Sequence, residues 1–201
     1  MPESSVVTKA QEVCSLLARE YGSEVSGRHL PPVDELVMTI LSQNTADVNT
    51  ERAFAALKAK YSDWESVLNA SVDELGLTIR SSGFFKLKAE RIQAALAEIK
   101  ARTGSIDLSL LEDMPINDAK RWLMSLHGVG PKTASIVLLF SFGKSTLPVD
   151  THVWRVTRRL GLVPIGATRE AAQLVLERVL PADCIPSANN NFITHGRRTC
   201  R

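Results

Sequence analysis

Apolar residues recur at helical spacing along nearly the whole chain, and no segment shows the sustained alternation that is typical of a half-buried strand. One stripe comprises Val6, Val7, Ala10, Val13, Cys14 and Leu17, and a second comprises Ala89, Ile92, Ala95, Leu96 and Ile99. Residues at this spacing share one face of an α-helix, which is then buried against other helices. We therefore predict an all-α protein with roughly ten helices joined by short loops.

Several residues mark where these helices should begin. Ser71, Asn117 and Thr168 each precede an apolar periodic segment, and their side-chain oxygens can accept a hydrogen bond from the first turn of a helix. Pro32 and Pro131 suit first-turn positions, where the missing N–H costs nothing. We predict a helix start at each of these five positions.

The chain is long enough to bury a sizeable core. It has 201 residues, of which 44% are hydrophobic and 23% charged, so its composition is that of a folded domain and not of a disordered tract. We expect two closely packed lobes: the central helices, residues 26–134, in one, and residues 1–25 with 135–201 in the other.

Positive charge is concentrated in three segments, although the net charge of +2 is too small to indicate a polyanionic partner. Each segment fits either contact with nucleic acid or a solvated helix face, and the sequence leaves both interpretations open. The segments are Arg80, Lys86, Lys88 and Arg91; Arg155, Arg158, Arg159 and Arg169; and Arg197, Arg198 and Arg201.

Membrane insertion and export are not expected. The longest strongly apolar run, residues 133–142, is about half the ~20 residues needed to cross a bilayer, so it should be a buried helix. The N-terminus has no basic segment followed by an apolar one, which predicts an intracellular location, cytoplasmic or nucleoid-associated. Three widely spaced cysteines, Cys14, Cys184 and Cys200, argue against a disulfide framework.

A glycine turn between two amphipathic segments is the first feature that indicates a binding function. Residues 126–134 read LHGVGPKTA, and Gly128 and Gly130 remove the Cβ atoms that would block a tight turn or a close ligand. Backbone amides at the start of the next helix favour a phosphate oxygen. The segment predicts a helical hairpin that binds a DNA backbone, although a plain structural hairpin would have the same pattern.

Lys132 and Asp150 are the candidate catalytic residues. Lys132 falls in the first turn after the hairpin, where the helix dipole disfavours an ammonium and favours a nucleophilic amine. Asp150 follows eighteen residues later in PVDTHVWR. It directly precedes an apolar helix face, so it is also a candidate helix cap. Capping and catalysis are compatible.

Four segments together resemble the endonuclease III family. The longest, LHGVGPKTASIVLLFSFGKSTLPVDTHVWRVTRRLGL, resembles that family's helix-hairpin-helix, Gly/Pro-rich loop and aspartate. MTILSQNTADVNTERA, SGFFKLKAERI and HGRRTC resemble three further signatures in the same order. The resemblance implies two helical lobes flanking a DNA-binding cleft, with Lys132 and Asp150 facing each other across it and Gly128, Val129 and Gly130 forming the hairpin.

The same resemblance assigns roles to two loops. Gln43 and Asn44 fall where the family places residues that fill the gap left by an extruded nucleotide. Phe84 falls where it places an apolar wedge, although ordinary core packing is the alternative because Phe85 is its neighbour. The implied partner is double-stranded DNA with a damaged base or an abasic site, bound by a monomer. His127, His152 and His195 are given no catalytic role.

The implied activity is base removal followed by strand cleavage, with oxidised pyrimidines as the default substrates. Two alternatives remain open from the sequence. A monofunctional mismatch or uracil DNA glycosylase would share the fold and the aspartate but lack the lysine. A non-catalytic helix-hairpin-helix module would need neither Lys132 nor Asp150.

The resemblance also implies a 4Fe-4S cluster in a complete family member. Cys200 corresponds to the first cluster ligand, and the other three ligands are not found within these 201 residues. We expect this chain to lack the cluster, either because the sequence stops just inside the cluster segment or because the protein is a clusterless relative with an ordinary thiol at Cys200.

Overall fold

A computed structural model describes residues 3–23 and 30–201 of the chain. Within these residues it contains eleven α-helices and two 3₁₀ turns, Arg80–Ser82 and Ser109–Leu111, and it has no strand. The prediction of an all-α protein is confirmed.

The helices separate into two compact units. The central unit comprises Leu30–Val137, and the terminal unit comprises residues 3–23 with Leu138–Arg201. The predicted lobe boundary at residues 25 and 26 lies outside the described residues, and the one at residues 134 and 135 stays a prediction.

The central unit contains six complete helices and the beginning of a seventh. They are α2 (Pro32–Ser42), α3 (Asp47–Lys60), α4 (Trp64–Asn69), α5 (Val72–Thr78), α6 (Phe85–Thr103), α7 (Ile116–Met124) and the first turns of α8 (Pro131–Phe142). Helix α6 packs against α2, α4 and α5. Its predicted apolar stripe, Ala89 to Ile99, is buried throughout. Burial of this stripe is therefore the main reason why α6 lies at the core of the unit.

The terminal unit is formed by α1 (Glu3–Tyr21), α9 (Thr151–Arg159), α10 (Arg169–Val179) and α11 (Ile185–Arg198), together with the end of α8. Helix α11 packs against α1 and α9. A Cβ atom at Gly196 would lie 2.9 Å from the Cβ of His152, so glycine is required for α11 to lie this close to α9. Ala10, Cys14, Val153 and Phe192 belong to the buried cluster.

Most predicted helix starts are confirmed. Ser71 and Thr168 cap α5 and α10 by accepting hydrogen bonds from the amides of Glu74 and Ala171, and α2 and α8 begin at Pro32 and Pro131. The start predicted at Asn117 is wrong, because α7 begins at Ile116 with Pro115 as its N-cap residue. Of the helices described, none is long and apolar enough to span a bilayer.

Candidate active site

The hairpin between α7 and α8 is closed by local hydrogen bonds and by one left-handed residue. The amide of Val129 donates to the carbonyl of Leu126 at 3.2 Å, and the amide of Ala134 donates to the carbonyl of Gly130 at 3.0 Å. Gly128 has φ +78°, a conformation that L-residues adopt only at a cost. The turn therefore requires glycine at this position.

The two hairpin glycines differ in what surrounds them. A Cβ at Gly128 would lie 3.0 Å from the side-chain carbons of Arg91, whereas a Cβ at Gly130 would meet no atom within 4 Å. Val129 is buried, with 6% of its surface exposed, so its side chain is not available to a ligand. Lys132, in the first turn of α8, is exposed. The open side of the hairpin therefore carries the backbone at Gly130 and the Lys132 side chain.

Gln43 is tied to the hairpin. Its side-chain nitrogen donates to the carbonyl of Gly128 at 3.4 Å, and its side-chain oxygen accepts from Arg91 Nη1 at 2.9 Å. Arg91 on α6 thus supports the hairpin with its carbon stem and orients Gln43 with its guanidinium. Its role was not predicted from the sequence.

Two tips of the central unit expose side chains in an unusual backbone conformation. Asn44, after α2, has φ 54°, and Phe84, before α6, has φ 46°. Asn44 is exposed, and Phe84 leaves 67% of its surface exposed. The alternative interpretation of Phe84 as a core residue is therefore wrong.

Lys88 departs from the sequence-based interpretation of its segment. Both interpretations of the first basic segment place Lys88 at the surface, but only 2% of it is exposed. Its ammonium donates to the carbonyls of Leu41 and Ser82 at 2.6 and 2.7 Å and to Thr45 Oγ1 at 2.7 Å. Burial, with a smaller effect from Arg91, lowers the pKa of Lys88 to about 8.

Asp150 lies in the terminal unit as the N-cap of α9. Its Oδ1 accepts from the amide of Val153 at 2.7 Å, so the predicted capping role is confirmed. The loop before it is anchored at two places: Asn189 Nδ2 donates to the carbonyl of Pro148 at 2.9 Å, and Glu177 Oε1 accepts from the amide of Leu147 at 2.9 Å. These contacts fix the approach of the chain to Asp150.

Part of the second basic segment is used within the protein. Arg155 donates to the carbonyls of Gly196 and Cys200 at 2.8 and 2.9 Å, at the end of α11, and Arg158 lies over the ring of Trp154 at 4.2 Å. Cations at a helix C-terminus stabilise its free carbonyls. For Arg155 and Arg158, a purely solvated helix face is therefore the wrong interpretation.

The described residues do not fit a four-iron cluster. Such a cluster takes four thiolates, and the chain has three cysteines. Burial, with a smaller effect from Cys184, raises the pKa of Cys14 to about 12. Cys200 Sγ lies 3.2 Å from Arg159 Nη1. The described part of the chain holds no group of three side chains suited to a metal ion.

The site residues thus fall into two sets. Gln43, the hairpin and Lys132 belong to the central unit, as do the tips at Asn44 and Phe84, whereas Asp150 belongs to the terminal unit. Within the central unit, the structure brings Gln43 to the hairpin and connects the loops behind Asn44 and Phe84 through Lys88.

Comparisons with known proteins give the family. Residues 37–182 match the model of the HhH-GPD superfamily base excision DNA repair protein. The chain therefore belongs to this superfamily, and within it the chain is an endonuclease III-like DNA glycosylase.

Two relatives and one solved structure illustrate the similarity. Endonuclease III of Thermotoga maritima is 35% identical over 187 residues, which cover 92% of this chain and 83% of that protein. A DNA glycosylase-like protein of Arabidopsis thaliana is 38% identical over 165 residues, 82% of this chain, but the match spans only 56% of the relative's length. A structure of endonuclease III trapped as a covalent intermediate with DNA aligns with a TM-score of 0.82 and 25% identity, covering 100% of this chain and 89% of that one.

Proposed function

We propose that this protein is a DNA glycosylase with associated AP lyase activity, which removes damaged pyrimidines from double-stranded DNA and then cleaves the strand 3′ to the abasic site. The observation that carries the proposal is the exposed lysine, Lys132, in the first turn of the helix that follows the glycine hairpin. A glycosylase that used water as its nucleophile would not need an amine at this position.

The chemistry assigned to Lys132 is nucleophilic. Its neutral amine attacks C1′ of the deoxyribose as the damaged base departs, and the sugar ring then opens to give a protonated Schiff base. The Schiff base acidifies C2′, so that loss of a proton there expels the 3′ phosphate by β-elimination. One amine proton is taken up by the departing base, and the ring oxygen is protonated as the ring opens. The 3′ phosphate leaves with the electron pair of the broken C3′–O bond, and water finally hydrolyses the Schiff base to free Lys132.

Asp150 supplies the negative charge. Its carboxylate would assist deprotonation of Lys132 and stabilise the positive charge that develops on the sugar. One oxygen, Oδ1, accepts the amide of Val153 at 2.7 Å, which fixes the orientation of the carboxyl group. Because the group is already held in place, little reorganisation is needed during the reaction.

The central unit would hold the DNA. The backbone around Gly130 is open to a phosphate, and the exposed Asn44 and Phe84 are suited to enter the duplex where the damaged nucleotide leaves it. Extrusion of a base costs a few kcal/mol and is least costly where pairing is already weakened. Damage that weakens pairing therefore assists its own recognition.

The similarity to known proteins supports this assignment. The endonuclease III in the aligned structure was trapped as a covalent intermediate with DNA, which is the species that the Lys132 mechanism requires. The Thermotoga relative named endonuclease III matches nearly the full length of this chain.

Borohydride trapping on DNA that contains an abasic site tests the proposal. The wild type should form a covalent adduct with the DNA and cleave the strand, whereas Lys132→Gln should do neither. Lys100→Gln is the matched control, because Lys100 is an exposed lysine of the same unit that pairs with Glu65 at 2.8 Å. This control should be trapped as efficiently as the wild type.

Three outcomes would contradict the proposal. Adduct formation by Lys132→Gln at the wild-type level would show that another group is the nucleophile. Base release without strand cleavage by the wild type would indicate a monofunctional glycosylase, and DNA binding without either reaction would indicate a non-catalytic module. A panel of duplexes with defined lesions would then test the preference for damaged pyrimidines.

A further inference from the structure

Asn44 and Phe84 share a rare backbone conformation. Among residues 3–23 and 30–201 they are the only non-glycine residues with positive φ, 54° and 46° respectively. A bulky residue such as phenylalanine adopts this conformation only where its surroundings enforce it. Both residues also lie at tips that the proposed function assigns to the DNA, so contacts with the rest of the central unit must hold the two tips in this conformation.

One buried ammonium connects the segments behind both tips. Lys88 Nζ donates to the carbonyl of Leu41, which precedes the Asn44 tip, and to the carbonyl of Ser82, which precedes the Phe84 tip, at 2.6 and 2.7 Å. Its third hydrogen bond, at 2.7 Å, goes to Thr45 Oγ1. An ammonium has three donors, so all of them are used.

Thr45 is the second member of this network. Its hydroxyl lies within hydrogen-bond distance of the carbonyls of Gln43, at 3.1 Å, and of Ser82. Thr45 directly follows Asn44, so its side chain fixes the end of the Asn44 tip against the start of the Phe84 tip. Removal of this hydroxyl would eliminate one of the two links between the segments and would leave Lys88 Nζ with two of its three acceptors.

A lysine at position 88 is unusual, because the position is buried. Lys88 is only 2% exposed, and burial of a charge is unfavourable unless the group is fully hydrogen-bonded. Its position in the chain continues the buried stripe of Ile92, Ala95 and Ile99, where an apolar residue would serve packing alone. The buried cation therefore indicates a requirement beyond packing.

We propose that Lys88 is a positioning residue that, together with Thr45, holds the Asn44 and Phe84 tips in the conformation that enters DNA at the extruded nucleotide. The proposal rests on the proposed function, since it concerns how damaged DNA is recognised. Lys88 does not touch the DNA; it acts through the two tips.

The test compares two variants of Thr45. Thr45→Val keeps the shape of the side chain and removes the hydroxyl, whereas Thr45→Ser keeps the hydroxyl. Affinity is measured for a duplex with a reduced abasic site and for the same duplex intact, a comparison that requires no catalysis. Thr45→Val should lose about 10-fold in affinity for the abasic duplex, in the range expected for one lost stacking contact, and should bind the intact duplex normally.

The matched control is Thr50→Val. Thr50 is 3% exposed, and its hydroxyl donates to the carbonyl of Ala46, the N-cap residue of α3, at 3.3 Å. This variant and Thr45→Ser should keep the wild-type ratio of affinities. A base analogue such as 2-aminopurine placed beside the abasic site should show altered fluorescence on binding of the wild type and less on binding of Thr45→Val.

A double-mutant cycle with Phe84→Ala separates positioning from general support of the fold. If Thr45 acts through the tips, Phe84→Ala combined with Thr45→Val should lose little more affinity for the abasic duplex than Phe84→Ala alone. Lys88→Met should show the same selective loss and the same non-additivity. Fully additive losses would overturn the proposal.

Other results would also decide against it. Equal affinity ratios for Thr45→Val and Thr45→Ser would show that the hydroxyl does not position the tips. Loss of cooperative unfolding in Thr45→Val would make the network a determinant of the fold instead. If only the proposed function fails, the wild type will prefer abasic DNA but form no adduct through Lys132. Equal binding of both duplexes by the wild type would overturn both the proposed function and the positioning role of Lys88.

Discussion

Replacement of Asp150 by asparagine and by alanine should separate the two roles that its carboxylate combines. Asparagine keeps an oxygen that can accept the amide of Val153, the contact that caps α9 at 2.7 Å, and it is as good an N-cap residue as aspartate. What asparagine removes is the negative charge. Alanine removes both the charge and the cap.

The magnitudes follow from these contacts. Loss of the charge at the start of α9 should cost about 0.3–1 kcal/mol of stability, and loss of the cap in Asp150→Ala about 0.5–2 kcal/mol. For a chain of this length, 1 kcal/mol shifts Tm by about 2–4 °C. Asp150→Asn should therefore melt within a few degrees of the wild type, and Asp150→Ala below Asp150→Asn.

Activity should respond in a different order. A carboxylate aimed at developing charge contributes roughly 100- to 1,000-fold to the rate, so both variants should release the base at least about 100-fold more slowly in single-turnover assays. Thr168→Ala is the matched control, because Thr168 caps α10 in the same unit through the amide of Ala171 at 3.2 Å. It should lose stability without losing activity.

Two results would exclude these separate roles of the carboxylate. An Asp150→Asn enzyme that reacts at the wild-type rate would show that the charge takes no part in catalysis. A Tm for Asp150→Asn as low as that of Asp150→Ala would show that the cap depends on the carboxylate itself, and the loss of activity could then follow from displacement of α9.

Two further predictions concern the central unit. Gly130→Ala should fold with a wild-type Tm, because a Cβ there meets no protein atom, but it should bind duplex DNA more weakly, because the Cβ would lie where a phosphate approaches the backbone. Gly128→Ala should instead lose stability, by ~1–2 kcal/mol for its left-handed backbone. Equal effects of the two changes in melting and binding assays would contradict this difference between the two glycines. The folded-state pKa of Lys88, about 8 against an ordinary 10.5, means that between these pH values the unfolded chain holds a proton that the folded protein lacks. The stability of the wild type relative to Lys88→Met should therefore rise from pH 8 to 10.5, by up to about 1.4 kcal/mol per pH unit, and a difference in urea midpoints that stays constant over this window would show that Lys88 has an ordinary pKa.

Features determined by neighbouring residues could be predicted from the sequence. The caps at Ser71, Thr168 and Asp150 depend on an oxygen and an amide three residues apart, so residue type alone indicates them. The error at Asn117 has a local cause as well. Pro115, with its fixed φ of −53°, starts the helix before asparagine can act as a cap.

Features determined by residues distant in sequence could not be predicted in this way. The partners of Lys88 at Leu41 and Thr45 are 47 and 43 positions away, and nothing in the local pattern indicates them. A signal was nevertheless present, because Lys88 occupies a position of the apolar stripe of α6. Because the apolar residues of the stripe predict a buried face, a charged residue at a stripe position is expected to be buried as well, whatever the number of basic residues around it.

The spacing of residues along α6 gives a physical reason for the segment SGFFKLKAERI. Phe84 directly precedes α6, and Lys88 and Arg91 lie three positions apart within it, so the side chains of Lys88 and Arg91 share one face of the helix. Phe84 is exposed at the start of the helix. Lys88 binds the segments behind both tips, and Arg91 bonds to Gln43 and lies against Gly128. One short helical segment therefore connects every element of the central unit that the proposed function assigns to DNA. A shift of α6 by a single residue would break all of these contacts together, which explains why the tips and the hairpin should act as one recognition surface.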